Sequence, residues 1–330
     1  MIITKTPYRI SFFGGGSDYP EWVNENLGEV ISTSINKYIY ISCRFLPDFF
    51  EHKFRVSYSR IEEVKKISDI KHYAVRKILQ KYSIKNKGLE IHYDGDLPSN
   101  SGMASSACFV VGLLNALNNL SLKNINKRDL ANLAIHYEQK ILKEVTGYQD
   151  QVITSYGGFN DIKFYPKKDF VINKINISEQ SKIKLNKNLF LVYSGIKRYA
   201  HNIASTFVSN LHSKKRSYIL NILEHVRIAK SLLINKDFDD FGRLLNESWN
   251  EKKKLSKAIT NRYLDDIYSY ALSSGALGGK LLGAGGGGFF VFYVPETNHK
   301  KFKTLLQKKF LIIDFKFEDH GSTVIHKSLY

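Results

Sequence analysis

Cysteine is scarce in this chain, with only Cys43 and Cys108 among 330 residues. Two cysteines exclude a disulfide framework and a cysteine-built metal centre, and they predict a reducing compartment, the cytoplasm. No window approaches the length of a membrane span, and residues 1–7 lack the apolar core of a secretion signal. No internal repeat or low-complexity linker interrupts the chain. A soluble protein that does not engage membranes is expected.

Acidic residues are the minority sign: 31 Asp and Glu face 49 Lys and Arg, a formal charge of +18. Such an excess raises three partner classes: nucleic acid, a membrane surface or small anionic substrates. The lysines are scattered, and the densest clusters, Lys252–Lys254 and Lys214–Arg216, fall in helical-looking segments and read as solvated faces. No helix-turn-helix, zinc finger or aromatic RNA-binding signature accompanies them, so nucleic acid is not an expected partner. The Gly-x-x-x-x-Gly-Lys-Ser/Thr sequence is missing too, which removes the P-loop NTPases.

What is present describes an ordered protein, 43% apolar and 13% aromatic. Its length predicts two domains, 1–180 and 181–330. Strand-like runs cover 30–35, 38–43, 88–93, 159–164, 189–193 and 289–294; helical spacing covers 72–82, 108–117, 128–145, 201–235, 237–255 and 261–274. Strands and helices mix without strict alternation, which predicts an α+β class.

The segment Leu97-Pro98-Ser99-Asn100-Ser101-Gly102-Met103-Ala104-Ser105-Ser106-Ala107 links a strand-like run to an apolar helical run. A loop of small residues at a helix start presents unpaired backbone N–H groups and the positive end of the helix dipole, so it is an anion site. Its paired serines add hydroxyls that can cap the helix, meet phosphate oxygens or bind a metal. Glycines also cluster at Gly14-Gly15-Gly16 and from Gly283 to Gly288. Gly283, Gly285 and Gly288 satisfy the spacing of the dinucleotide fingerprint, but that fingerprint needs a strand before it and a helix after it. Here the order reads helix, glycines, strand. Phosphoryl transfer further needs a magnesium ligand and a group that orients the attacking hydroxyl. Glu138, on the expected 128–145 helix, and Asp150, in a glycine-bearing loop, are the candidate carboxylates.

With these parts in order, the chain resembles the GHMP kinases over nearly its full length. Thr6 to Tyr19 is similar to the family's first motif, Pro98 to Ala107 to the second with Met103 in place of leucine, and Lys280 to Gly288 to the third. The resemblance implies an N-terminal domain like the ribosomal S5 half, a ferredoxin-like C-terminal domain, and ATP between them. It assigns Pro98, Ser101, Gly102, Met103, Ala104, Ser105 and Ser106 to the ATP phosphates. Mg2+ falls to Glu138 with Ser106, although the choice between Ser105 and Ser106 stays open. Asp150 becomes the catalytic aspartate, with Arg9 paired to it, and Gly285 and Gly286 let the third loop approach substrate.

The first motif also bears on the acceptor. The Arg9 to Asp18 spacing matches galactokinases, in which the residues at Gly15 and Gly16 are Glu and His. Their replacement by glycine opens room and removes an anion, as in kinases of D-glycero-D-manno-heptose 7-phosphate that make the 1,7-bisphosphate. Gly14, Gly15, Gly16, Ser17 and Asp18 would then contact the sugar. Lys197 and Arg198 are the expected partners of its phosphate, ahead of Lys5 and Lys280. The expected role is cytoplasmic supply of nucleotide-activated heptose for a surface polysaccharide, by a monomer or homodimer. Two alternatives remain: an anomeric kinase of an unphosphorylated sugar such as fucose or galactose, and a non-catalytic sugar-binding regulator.

Overall fold

A computed structural model describes residues 1–82, 87–197 and 203–328. Its first sheet is founded on two long antiparallel strands, β1 (Ile2–Phe13) and β2 (Gly28–Leu46), rich in β-branched and aromatic residues. The separate runs expected at 30–35 and 38–43 are one strand, because each half of β2 has its own partner. Its first half pairs with β6 (Phe159–Tyr165) and its second with β5 (Gly88–Gly95), while β1 follows both. β3 (Phe54–Ser57) and β4 (Ile61–Val64) extend the sheet beyond β5, and β7 (Asp169–Lys174) extends it beyond β6. β12 (Phe317–Glu318) and β13 (Thr323–Lys327) return from the far end of the sequence to pair with β2 and β1.

After the short helices α1 (Pro20–Val23) and α2 (Tyr73–Lys81), helix α3 (Ser105–Leu120) packs on β1 and β2. Thirteen of its sixteen residues are buried, so it is a central helix with no wide polar face. Gly112 permits the close approach: a Cβ there would stand 2.9 Å from Thr6 Oγ1.

The second sheet comprises β8 (Leu189–Tyr193), β9 (Gly278–Leu281), β10 (Phe289–Tyr293) and β11 (Leu311–Ile313), in the spatial order β11-β8-β10-β9 and all antiparallel. Helices α7 (Arg216–Asn235), α8 (Phe238–Lys253) and α9 (Arg262–Ser273) connect β8 to β9, and α10 (His299–Leu306) connects β10 to β11. That is the ferredoxin-like order expected from the resemblance, within an α+β chain. Phe241 of α8 sits edge-on to Phe12 and Phe13, with ring centroids 5.5 and 5.1 Å apart, tying α8 to β1. Truncating such a buried ring costs about 3–5 kcal/mol.

Three sequence expectations need correction. The helix expected over 128–145 is α4 (Lys127–His136) followed by a π-helical turn, Tyr137–Ile141, and it ends at Lys143 in a left-handed conformation (φ 57°). Helical periodicity is blind to that extra residue per turn, and such turns concentrate at functional sites. Between 203 and 212 the chain forms turns rather than a continuous helix, since side chains such as Thr206, whose Oγ1 donates to Ile203 O at 2.6 Å, compete for backbone groups. Finally, a strand rather than a helix immediately precedes the third glycine loop: β9 and β10 flank it, so the dinucleotide reading fails as expected, in a hairpin.

Candidate active site

β5 ends in the small-residue loop, where Asn100 (φ 57°), Gly102 (φ 80°) and Ala104 (φ 68°) all adopt positive φ. For Ala104 this conformation costs roughly 1–2 kcal/mol, the kind of strain that surrounding structure retains at ligand sites. The turn delivers α3 at Ser105 with no side-chain cap on its first N–H groups. Of the roles open to the paired serines, capping the helix is the one not taken. Ser101 Oγ and Ser105 Oγ are buried and lack a partner among the described residues. An uncapped helix start beside orphan hydroxyls fits phosphate oxygens.

Arg9, on β1, is 2% exposed and grips Asp150 with two hydrogen bonds, Nε to Oδ1 at 2.8 Å and Nη2 to Oδ2 at 2.9 Å. Its Nη1 donates to Gly102 O at 2.7 Å, so one guanidinium fixes both the carboxylate and the phosphate loop. Asp150 lies in the first turn of α5 (Gln149–Tyr156). Asp18 is fully enclosed and accepts from Gly16 N (3.1 Å) and Gln149 N (3.2 Å). Burial, then the neighbouring Asp150 charge, pushes the Asp18 carboxyl above its ordinary range. Gly147 must be glycine here, since a Cβ would stand 2.0 Å from Asp18 Oδ2.

Glu138 is the second residue of the π-helical turn and is 2% exposed. Burial pushes its carboxyl up to about 7, against hydrogen bonds from Ser106 Oγ and Gln151 Nε2 that pull it down. No group of three or more His, Cys, Asp or Glu suited to a metal occurs among the described residues. A single carboxylate with a hydroxyl is nevertheless the sparse oxygen set magnesium accepts, with phosphates and water completing its shell. The residues fit that ion.

One cleft brings together Arg9, Gly15, Gly16, Asp18, Gly102, Ala104, Ser105, Ser106, Glu138 and Asp150. Several other expected site residues do not line it. Pro98, Ser101 and Met103 underlie the phosphate loop, and Ser101 O accepts from Phe289 N (3.1 Å). Gly14 and Ser17 pack on Glu29: a Cβ at Gly14 would meet Glu29 O at 1.9 Å, and Ser17 Oγ donates to Gly14 O (2.8 Å) and Glu29 O (3.1 Å). Gly285 and Gly286 pack against Ile259 and Ile203, leaving Gly283 and Ala284 on the cleft. Lys197 is exposed and does not line the cleft, and Arg198 lies outside the described residues. Lys5 sits 4.3 Å over the Tyr38 ring instead.

Gly16 does not open the space expected of it. Its φ of 111° demands glycine, and a Cβ there would approach Ile219 Cδ1 at 3.2 Å. Room exists beside Gly15, toward Ser11 Oγ (3.7 Å from a built Cβ) and the Gln149 amide (3.6 Å). Ser11 Oγ and Gln149 Oε1 are buried, lack partners among the described residues and line the cleft. Sequence reading missed both. It also missed Lys252, which is 8% exposed and faces the cleft rather than solvent. Helical spacing held the signal: Phe241, Leu245, Ser248 and Lys252 share the buried stripe of α8.

Comparison with known proteins agrees with this geometry. Residues 68–158 match the GHMP kinases N terminal domain and 229–309 the GHMP kinases C terminal domain, together just over half of the chain. The chain is 29% identical to a D-glycero-alpha-D-manno-heptose 7-phosphate kinase of Campylobacter jejuni, covering 97% of each. It is 25% identical to a bifunctional fucokinase/GDP-fucose pyrophosphorylase of Arabidopsis thaliana, covering 90% of this chain and 30% of that one. Its fold is similar to that of a D-glycero-D-manno-heptose 1-phosphate kinase from Bacteroides thetaiotaomicron, with a TM-score of 0.81, 22% identity and full coverage of both chains. The chain belongs to the GHMP kinases, and it is an ATP-dependent sugar kinase that phosphorylates a hydroxyl group.

Proposed function

We propose that this protein transfers the γ-phosphoryl group of ATP to the anomeric hydroxyl of D-glycero-D-manno-heptose 7-phosphate, giving the 1,7-bisphosphate and ADP. The observation that carries the reading is the bidentate Arg9–Asp150 pair standing between the phosphate loop and the buried Asp18. Asp150 takes the proton of the anomeric hydroxyl as its oxygen attacks the γ-phosphorus and the bond to the β-phosphate oxygen breaks. Arg9 holds Asp150 in place and, through Gly102, holds the loop that receives the phosphates. Ser106 and Glu138 would hold Mg2+, which supplies charge neutralisation to the phosphates when bound. The unpartnered Ser11 Oγ and Gln149 Oε1, with Asp18, offer the hydrogen-bonding groups a polyhydroxylated acceptor requires.

Similarity to the Campylobacter jejuni enzyme along the whole chain supports the heptose acceptor. On this reading, residues 1–180 and 181–330 form the two kinase domains, with β12 and β13 returning to the first sheet. The enzyme works in the cytoplasm, feeding nucleotide-activated heptose synthesis. Among the described residues no helix is long and apolar enough to cross a membrane. A coupled ADP-release assay tests the acceptor, comparing heptose 7-phosphate with unphosphorylated heptose, mannose, fucose, galactose and mevalonate. The highest kcat/KM is expected for heptose 7-phosphate, and a higher value for any unphosphorylated sugar overturns the assignment.

A further inference from the structure

Lys280 carries a buried amine with no carboxylate partner among the described residues. It lies on β9, is 3% exposed and lines the cleft. Its ammonium makes one hydrogen bond among the described residues, to Phe12 O at 2.8 Å, and no carboxylate stands within ion-pair distance of it there. Burying an ammonium without a counter-ion is costly, and a methionine of similar length would fill the same space without that cost. A titratable amine in that place can take up a proton when an anionic ligand comes.

The surrounding charges indicate which ligand. Arg9 of β1 is engaged with Asp150 of α5, and Asp18 in the first glycine loop is satisfied by two backbone N–H groups. Lys252 of α8 lines the same cleft, its ammonium donating to Leu281 O (3.4 Å) and to Gly283 O. Glu138 and Glu144 line the cleft as well, so Lys280 is set apart not by a net excess of cations but by having no carboxylate within ion-pair distance among the described residues. The ATP phosphates have their own receptor in the serine loop at the start of α3. Lys280 is anchored instead to Phe12, just ahead of the loop that carries Asp18.

We propose that Lys280, assisted by Lys252, binds a phosphate group carried by the acceptor and so selects a phosphorylated sugar. This rests on the heptose phosphate reading above and names the residue that makes the selection. The contact is a charge-assisted hydrogen bond from ammonium to phosphate oxygen. Burial, then the nearby Arg9, pushes the Lys280 ammonium down to about 7, with Asp18 opposing. A dianionic phosphate reverses that balance, so binding above pH 7 draws a proton onto Lys280.

The test measures KM for heptose 7-phosphate, for unphosphorylated D-glycero-D-manno-heptose and for ATP in the wild type, Lys280→Met and Lys280→Arg. Lys280→Met is expected to raise KM for the 7-phosphate roughly 10–100-fold while the other two move less than threefold, and Lys280→Arg to recover part of the loss. Calorimetry at pH 8 in two buffers of different ionisation enthalpy should show uptake approaching one proton on heptose 7-phosphate binding to the wild type. Equal losses on both sugars would make Lys280 a structural tie to Phe12, and a rise confined to ATP would assign it to the donor. Either overturns the proposal while a wild-type preference for the 7-phosphate leaves the acceptor reading standing. A wild type that prefers the unphosphorylated sugar removes both. If Lys280→Met does not fold, absence of proton uptake by the wild type overturns the proposal.

Discussion

Replacing Asp150 with asparagine separates the chemistry of the cleft from its architecture. Asparagine keeps the size of the side chain and an oxygen for Arg9 Nε, now 2.8 Å from Oδ1. Its amide nitrogen takes the place of Oδ2, which accepts from Arg9 Nη2 at 2.9 Å, so one charge-assisted bond becomes a donor facing a donor. Arg9 retains its bond to Gly102 O, and Asp150 is partly open to solvent, so the folding cost should stay near 1–3 kcal/mol. The chemical cost is larger. Loss of a positioned base typically removes 10²–10⁴ in rate, or about 3–5 kcal/mol of barrier. The phosphate loop makes no hydrogen bond to Asp150 among the described residues, so ATP affinity should change less than threefold. Coupled ADP release gives kcat, calorimetry gives ATP affinity and thermal melting gives the folding cost. Arg9→Met is the contrasting variant: it also frees Gly102, so it should weaken ATP binding as well as turnover. A kcat within fivefold of wild type for Asp150→Asn would refute the role given to that carboxylate.

Two further predictions concern the neighbourhood of Asp18 and the first sheet. Gly147→Ala places a methyl 2.0 Å from Asp18 Oδ2 and should raise the acceptor KM at least tenfold with ATP KM unchanged; equal effects on both substrates would contradict the assignment of Asp18 to the acceptor. Asp161 on β6 faces Glu29, and burial followed by that neighbour pushes its carboxyl up to about 6, with Lys230 and Lys163 opposing. Between roughly pH 4 and 6 the native state then holds the proton that the unfolded chain has lost, so this group makes stability fall as pH rises. Asp161→Asn should remove about 1–3 kcal/mol of that dependence in urea unfolding compared at pH 4.5 and 7. An unchanged difference between the two pH values would refute the shift.

Local signals survive reading in one dimension, and long-range ones do not. The loop around Gly102, the run that became α3, strand β8 and the candidate carboxylates Glu138 and Asp150 were all legible because each sits in a short segment with its own chemistry, whereas Arg9 entered only through the family resemblance. The Arg9–Asp150 pair spans 141 residues, and only the family resemblance suggested it beforehand. The π-helical turn that presents Glu138 was invisible, since periodicity reports the average turn and not one inserted residue.

By itself the sequence determined the α+β class and three glycine-bearing loops, while the ferredoxin-like second half was implied only by the resemblance to the GHMP kinases. Tertiary structure decided which members of those loops line the cleft. Gly14 and Ser17 pack on Glu29, Gly285 packs on Ile259, and Gly16 is set by its positive φ rather than by vacated space. It also turned Lys252 from a solvated surface charge into a buried side chain lining the cleft, beside the buried Lys280. The reason is physical: residue type and spacing report local conformation, whereas burial and charge balance depend on which distant segments close over a side chain.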